Sequence, residues 1–289
     1  MSQTVIDKNI EAADGAVRIN GSCLVKGNII RGNLSATADI IIQGAVIDSI
    51  VMTSGGNVNI QQGIEGEATR IESFGDIRAD YCHGGDIKSR NGSVYFKSRV
   101  TNAKVAARNL VHVTQGTGVI EKATVQAGIE IITNQLGNEN NDSTYAVLSN
   151  ERQQEMFELM LVYEQKLRDK KKRLEQLSKV IKIIRLLGDN VVKLPQHKKQ
   201  ELASQVQEYN TVKNEIDQTI EEKQKVMKKN QEMKLYTRAI IVNQRVFPKV
   251  QISIDKLNHQ VNRNFEKVIF YKTGIIIMGD LDKYKLRQR

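Results

Sequence analysis

Tyr81-Cys82-His83-Gly84-Gly85 is the one place in the chain where a thiol and an imidazole adjoin. Those residue types make a nucleophile and its base when the two side chains converge within hydrogen-bond reach. Neighbours along a strand point to opposite faces, so the spacing argues for a turn rather than a catalytic pair. His112, His197 and His259 stand far apart, with none of the close spacings of a metal site. Ser253-x-x-Lys256 has the spacing of an acyl-enzyme pair but no supporting motif, and Gly116-Thr-Gly118 is an isolated fragment of no phosphate loop. Two cysteines, Cys23 and Cys82, allow neither a disulfide framework nor a four-thiolate zinc site and suit a reducing compartment. These residues predict no catalytic group, no cofactor and no metal.

A second candidate is the basic run from Lys166 to Arg173. Lys170, Lys171, Lys172 and Arg173 could grip phosphates, because clustered cations release counterions on binding nucleic acid. The run lacks interleaved aromatics that would stack bases. Net charge is +10, unevenly placed: residues 1–150 carry 13 basic and 15 acidic groups, 151–236 carry 19 and 14, and 237–289 carry 11 and 4. Glutamates interleave with the cations of the middle segment, which reads as a solvated helical surface, and nucleic acid is not the expected partner.

The element that carries this run has helical period. Met156, Met160, Tyr163, Leu167, Lys170, Leu174, Leu177, Ile181 and Ile184 step by four and three, a coiled-coil seam with one lapse at Lys170. The break falls at Gly188-Asp189-Asn190, and Leu194-Pro195 opens a second helix whose apolar positions include Leu202, Tyr209 and Ile216. Two helices of similar length joined by a short turn predict an antiparallel hairpin with arms of about 55 Å. Its seam is assigned to Met160, Leu167, Leu174, Ile181, Leu202, Tyr209 and Ile216.

Ahead of the hairpin an aliphatic residue falls at every sixth position: Leu34, Ile40, Val46, Met52, Val58 and Ile64. A larger repeat puts a polar residue before an aliphatic one at Asp39-Ile40, Asn57-Val58, Asp76-Ile77, Ser93-Val94 and Asn109-Leu110, in steps of 18, 19, 17 and 16 residues. Three short strands per coil give that period, the mark of a stacked solenoid. Glycines crowd this region and proline is absent, as corners between short faces require. Residues from about 14 to 136 predict roughly seven coils. Aromatics make up only 5% of the chain, which suits a narrow aliphatic slot.

From Thr237 the chain returns to β character at Ala239–Val242, Val250–Ile254, Val268–Tyr271 and Ile275–Met278. About 50 residues bury too little to stand alone, so these strands are expected to stack on the open end of the solenoid and cover its edge. The chain divides as 1–144 for the parallel β-helix, 145–236 for the coiled-coil hairpin and 237–289 for the returning strands. The fold class is mainly β with an α insertion. No signal-peptide core and no membrane span are found, so a cytoplasmic location is expected.

Taken in order, these features resemble the flagellar assembly protein A family. The resemblance rests on the corners Gly27-Asn28-Ile29, Gly56-Asn57-Val58, Gly75-Asp76-Ile77 and Gly85-Asp86-Ile87, on Leu136-Gly137 followed by Thr144, and on Val246-Phe247-Pro248 with Val250–Ile254. It covers residues 15–280 and implies a right-handed β-helix and a link to flagellar assembly. Family members usually carry a further N-terminal domain, whereas this sequence begins almost at the β-helix. The function expected is a non-enzymatic scaffold or regulator that holds out its hairpin to a protein partner, with a homo-oligomer also admitted. The alternatives are a polymerising bactofilin-like β-helix, a nucleic-acid-binding module and, with least support, a hexapeptide-type acyltransferase.

Overall fold

The computed structural model describes residues 3–140, 142–149, 151–234 and 238–283, the side chains of 151–153, 189 and 229–234 excepted. It separates into two compact units, one of residues 1–150 with 237–289 and one of residues 151–236. The first is a β-solenoid of about eight turns. Every strand pairing from Gln3 to the strand Ala239–Val246 is parallel and links one coil to the next.

Three inward columns of aliphatic side chains make the core. One runs Cys23, Ile40, Val58, Ile77, Val94, Val111, Ile131, Ile240. The second runs Leu34, Val51, Ile71, Ile87, Val105, Val125, Ala146, Ile252. The third runs Ile10, Ile29, Val46, Ile64, Cys82, Val100, Ile120, Leu136, Val246. All are buried. Each aliphatic rung taken from water stabilises the stack by about 1.5–3 kcal/mol, which is why slender coils without a globular centre can persist.

The six-residue beat is met at Leu34, Ile40, Val46, Val58 and Ile64, but at the fourth beat Val51 turns inward while Met52 lies half-exposed on the outer face. Val51 sits directly beside Leu34 in the sheet, and alternation along the strand Ile50–Thr53 then points Met52 outward. The same one-residue slip replaces Leu110 by Val111 in the first column.

The polar corners are held by side chains that mimic backbone acceptors. Asn57 N–H donates to Asp39 Oδ1 at 2.7 Å, Asp76 N–H to Asn57 Oδ1 at 2.8 Å and Ser93 N–H to Asp76 Oδ1 at 2.9 Å, so one acidic or amide side chain per coil receives the amide of the coil above. Asn28 N–H and Ala45 N–H continue a second such column to Asn9 and Asn28. Each bond contributes about 1 kcal/mol, more where the amide would otherwise stay unpaired. Gly56 precedes Asn57 because a Cβ there would lie 2.3 Å from the carbonyl carbon of Ala38. Inside a further corner, the Ser73 and Ser89 hydroxyls donate to Gly56 O and Gly75 O of the preceding coils, which offsets the cost of burying a hydroxyl.

Three boundaries differ from the sequence expectation. Solenoid pairing is already present at Gln3–Ile6, ahead of the expected start near residue 14; that strand is mostly exposed and so carries little of the aliphatic repeat. Tyr145–Leu148, assigned to the hairpin by the boundary at 145, is a strand between Thr124–Ala127 and Gln251–Ile254, and the first helix opens at Glu151. The returning strands add parallel rungs at Ala239–Val246 and Gln251–Ile254, then reverse: Leu257–Gln260 and Phe265–Lys272 pair antiparallel to them, and Ile276–Asp280 closes the edge. The strand Leu257–Gln260 had no sequence signal. It follows a two-residue turn, Asp255-Lys256, with φ of 50° and 71°, the left-handed pair that a tight hairpin needs.

Where the chain leaves and re-enters the solenoid, Arg238 ties the two crossings together. Its guanidinium donates to Gly128 O at 2.9 Å, to Ser149 O just before the first helix, and to Asp255 Oδ1. Asp255 also receives Lys272 Nζ at 3.2 Å, and the Arg238 and Asp255 side chains are only 13% and 15% exposed.

Candidate functional site: the helical hairpin

The thiol–imidazole neighbours lie on opposite faces of the strand Ile77–His83. Cys82 is a rung between Ile64 and Val100 and His83 is exposed. Burial pushes the Cys82 thiol up to about 12, leaving it protonated, and it donates weakly to Gly84 O. Its role is packing. Burial also raises the Cys23 thiol.

The three remaining histidines occupy separate elements. His112 stacks edge-on against Tyr95, which lies under Arg78. His259 packs beside Phe270 and His197 is exposed in the second helix. Ser253 lies half-buried in the strand Gln251–Ile254, while Lys256 is exposed in the turn that follows. Among the described residues no group of three or more His, Cys, Asp or Glu is placed to hold a metal. A shallow cleft of about 510 Å³ on one solenoid face is lined by Arg18, Thr37, Met52, Glu72 and Arg90. There Arg90 pairs with Glu72 and holds its carboxyl below the usual range.

The second unit offers a different kind of surface. Helix α1, Glu151–Leu187, and helix α2, Gln196–Lys234, are joined by the 3-10 turn Gly188–Lys193. Gly188 at φ 48° ends α1 in the left-handed conformation that glycine adopts without penalty. Pro195 precedes α2, where its missing N–H costs nothing and its carbonyl accepts Lys198 N–H at 3.0 Å. Cross-helix ion pairs give the register: Lys223 to Glu164 at 3.0 Å, Lys170 to Glu215 at 2.8 Å and Arg173 to Glu208 at 2.7 Å. Partners descend along α2 as residues ascend along α1, so the helices are antiparallel.

Met160, Leu167, Leu174, Ile181, Leu202 and Tyr209 are half-buried and Ile216 is buried, with Leu177 the most enclosed of the described side chains of α1. Thr219 is buried too, its hydroxyl turned back onto Glu215 O. Lys170, the lapse in the seam, is the cation of the Glu215 pair. The basic run is therefore divided: Lys170 and Arg173 are engaged across the seam, and Lys171 and Lys172 are exposed. Arg173 grips Glu208 through two nitrogens and holds that carboxyl below the usual range. Such surface pairs are screened by solvent and act mainly to fix register.

Sequence reasoning did not mark the apolar residues that this packing leaves out. In the first half of α1, Phe157 and Leu161 are 62% and 47% exposed, and Leu159 and Val162 are 38% and 48% exposed. By helical position the two pairs flank the seam on either side. The signal was present as apolar residues off the four-three spacing. At the turn, Ile183, Leu186 and Val192 are 53%, 87% and 74% exposed. Among the described residues no helix is long and apolar enough to cross a membrane.

No curated protein and no solved structure matches the chain. One family model does, that of the Flagellar Assembly Protein A beta solenoid domain, over residues 3–276. That span takes in the parallel coils, the inserted hairpin and the returning strands up to the start of the last one, and on this match the chain belongs to the flagellar assembly protein A family.

Proposed function

We propose that the protein is a non-catalytic cytoplasmic scaffold in flagellar assembly whose hairpin docks a protein partner. The family match supports the setting, and two reduced, buried cysteines accord with the cytoplasm. The observation that carries the docking reading is the widened apolar stripe of α1. A helix that needs only one partner shows a narrow seam, whereas Phe157, Leu161, Leu159 and Val162 extend the stripe to both sides, as in a helix that serves a larger bundle. A partner helix laid along Phe157 and Leu161 would bury them at little cost, since neither contributes to the seam.

Two features weigh against the rival readings. A filament former needs stackable coils at both ends, and the returning strands occupy one end with antiparallel pairing. A phosphate grip needs free cations, and two of the four in the basic run are engaged by glutamates.

Phe157→Ser with Leu161→Ser removes the exposed stripe and spares the seam. Partner binding should weaken roughly tenfold or more for each side chain lost. In a flagellated host lacking its own copy, this double variant should leave cells with few flagella while its helical circular dichroism equals that of the parent. Normal flagellation by the variant would move the docking surface elsewhere.

A further inference from the structure

We propose that the hairpin turn is a docking site for an anionic lipid bilayer surface, through a surface distinct from the α1 stripe. Residues 177–200 hold six basic side chains, Lys179, Lys182, Arg185, Lys193, Lys198 and Lys199, against one carboxylate, that of Asp189. Along the shaft the cations Lys170, Arg173 and Lys223 are matched by glutamates across the seam. At the turn none of the six enters an ion pair among the described residues, although five of them are exposed and Lys199 half-exposed. By count the rest of residues 151–236 balances, with 13 basic and 13 acidic groups, whereas residues 177–200 carry six against one.

The same end carries the most exposed large aliphatic side chain among the described residues. Leu186 is 87% exposed and Val192 74%, with Ile183 a turn earlier on the side shared by Leu186. The fold does not require them: Leu187, Val191 and Leu194 are the half-buried residues that close the turn. Lys182 and Arg185 interleave with Ile183 and Leu186, and Lys193 follows Val192. Aliphatic side chains at the apex ringed by long cations match a bilayer interface, where the apolar atoms enter the acyl boundary and the ammonium and guanidinium groups reach back to lipid phosphates.

An acidic protein groove fits less well. Protein hot spots are built chiefly on Trp, Tyr and Arg in shaped pockets, and residues 177–200 contain no aromatic and a single arginine. Nucleic acid fits least, since it would leave Leu186 and Val192 in water and offers its bases no ring to stack upon.

The full-length protein should sediment with vesicles of 30% phosphatidylglycerol in phosphatidylcholine at least about tenfold more tightly than with pure phosphatidylcholine, and 0.5 M salt should remove most of that binding. Leu186→Ser with Val192→Ser, and separately Lys182→Glu with Arg185→Glu, should each weaken it about tenfold or more. Lys171→Glu with Lys172→Glu on the shaft should change it less than about threefold. Equal binding to both vesicle types, full binding by either turn variant, or equal loss in the shaft variant would overturn the proposal. So would binding of a labelled amphipathic Glu/Leu peptide at the turn with no vesicle binding, which would make the occupant an acidic protein.

Discussion

Ile216→Asp should unfold the hairpin while leaving the solenoid standing. Ile216 is 7% exposed and belongs to the part of α2 where Glu215 meets Lys170. Its replacement removes the packing of a buried aliphatic and puts a carboxylate against the seam, a loss of about 3–5 kcal/mol. Paired helices of 37 and 39 residues draw most of their stability from the packing along that seam. The helical signal at 222 nm should fall to a minor fraction and residues 151–234 should become protease-sensitive. The β signal should persist, because the two units have separate cores. Unchanged helicity with unchanged protease resistance would mean that Ile216 does not hold the helices together.

Asp255→Asn should destabilise the solenoid's last coils more than any single change to a polar corner. The amide retains the left-handed turn that Asp255 occupies at φ 50°. It removes the charge facing Arg238 and Lys272, and the Arg238 guanidinium is nearly enclosed. A buried cation stripped of its carboxylate costs about 3 kcal/mol, here offset in part by the Gly128 and Ser149 carbonyls that Arg238 keeps. The denaturation midpoint of the β unit should drop, and proteolysis should begin beside Ser149 and Arg238. Arg238→Met with Asp255→Asn, which removes both charges, should recover part of the loss. A midpoint unmoved by Asp255→Asn would show that the two crossings are held by the coil pairing alone.

The solenoid was legible because each inward position asks for the same thing, an aliphatic side chain, and asks again at each coil. That repetition placed Leu34, Ile40, Val46, Val58 and Ile64 correctly. It failed where coil length varies. Val51 and Ile71 are neighbours in one column but 20 residues apart, whereas Leu34 and Val51 are 17 apart, so a fixed period drifts off the strands. The repeated Gly-Asn/Asp corners were visible, but their meaning was not. Asn57 and Asp76 belong to one bonded column, Asn28 to another, and Asp86 has its N–H on Thr69 O instead.

The hairpin was legible for the same reason that its docking stripe was not. The four-three spacing picks out residues that are buried or half-buried and is silent about Phe157 and Leu161, which stay exposed beside them. Lys170 looked like a flaw because the residue that neutralises it, Glu215, is 45 positions away. Arg238 gave no sign at all. Its partners are Gly128, Ser149 and Asp255, the first of them 110 residues upstream, and only the fold brings them together.

Flagella per cell in a host lacking its own copy, supplied with the chain in which residues 151–236 are replaced by a short Gly-Ser linker, tests most directly whether the hairpin carries the function. Ser149 and Arg238 already approach within hydrogen-bonding reach, so a short linker should close the gap and the β unit should fold with its circular dichroism intact. The expected result is a folded protein and cells as bare of flagella as those given no copy. Wild-type numbers of flagella from that folded, hairpin-free chain would contradict the account and return the function to the solenoid faces.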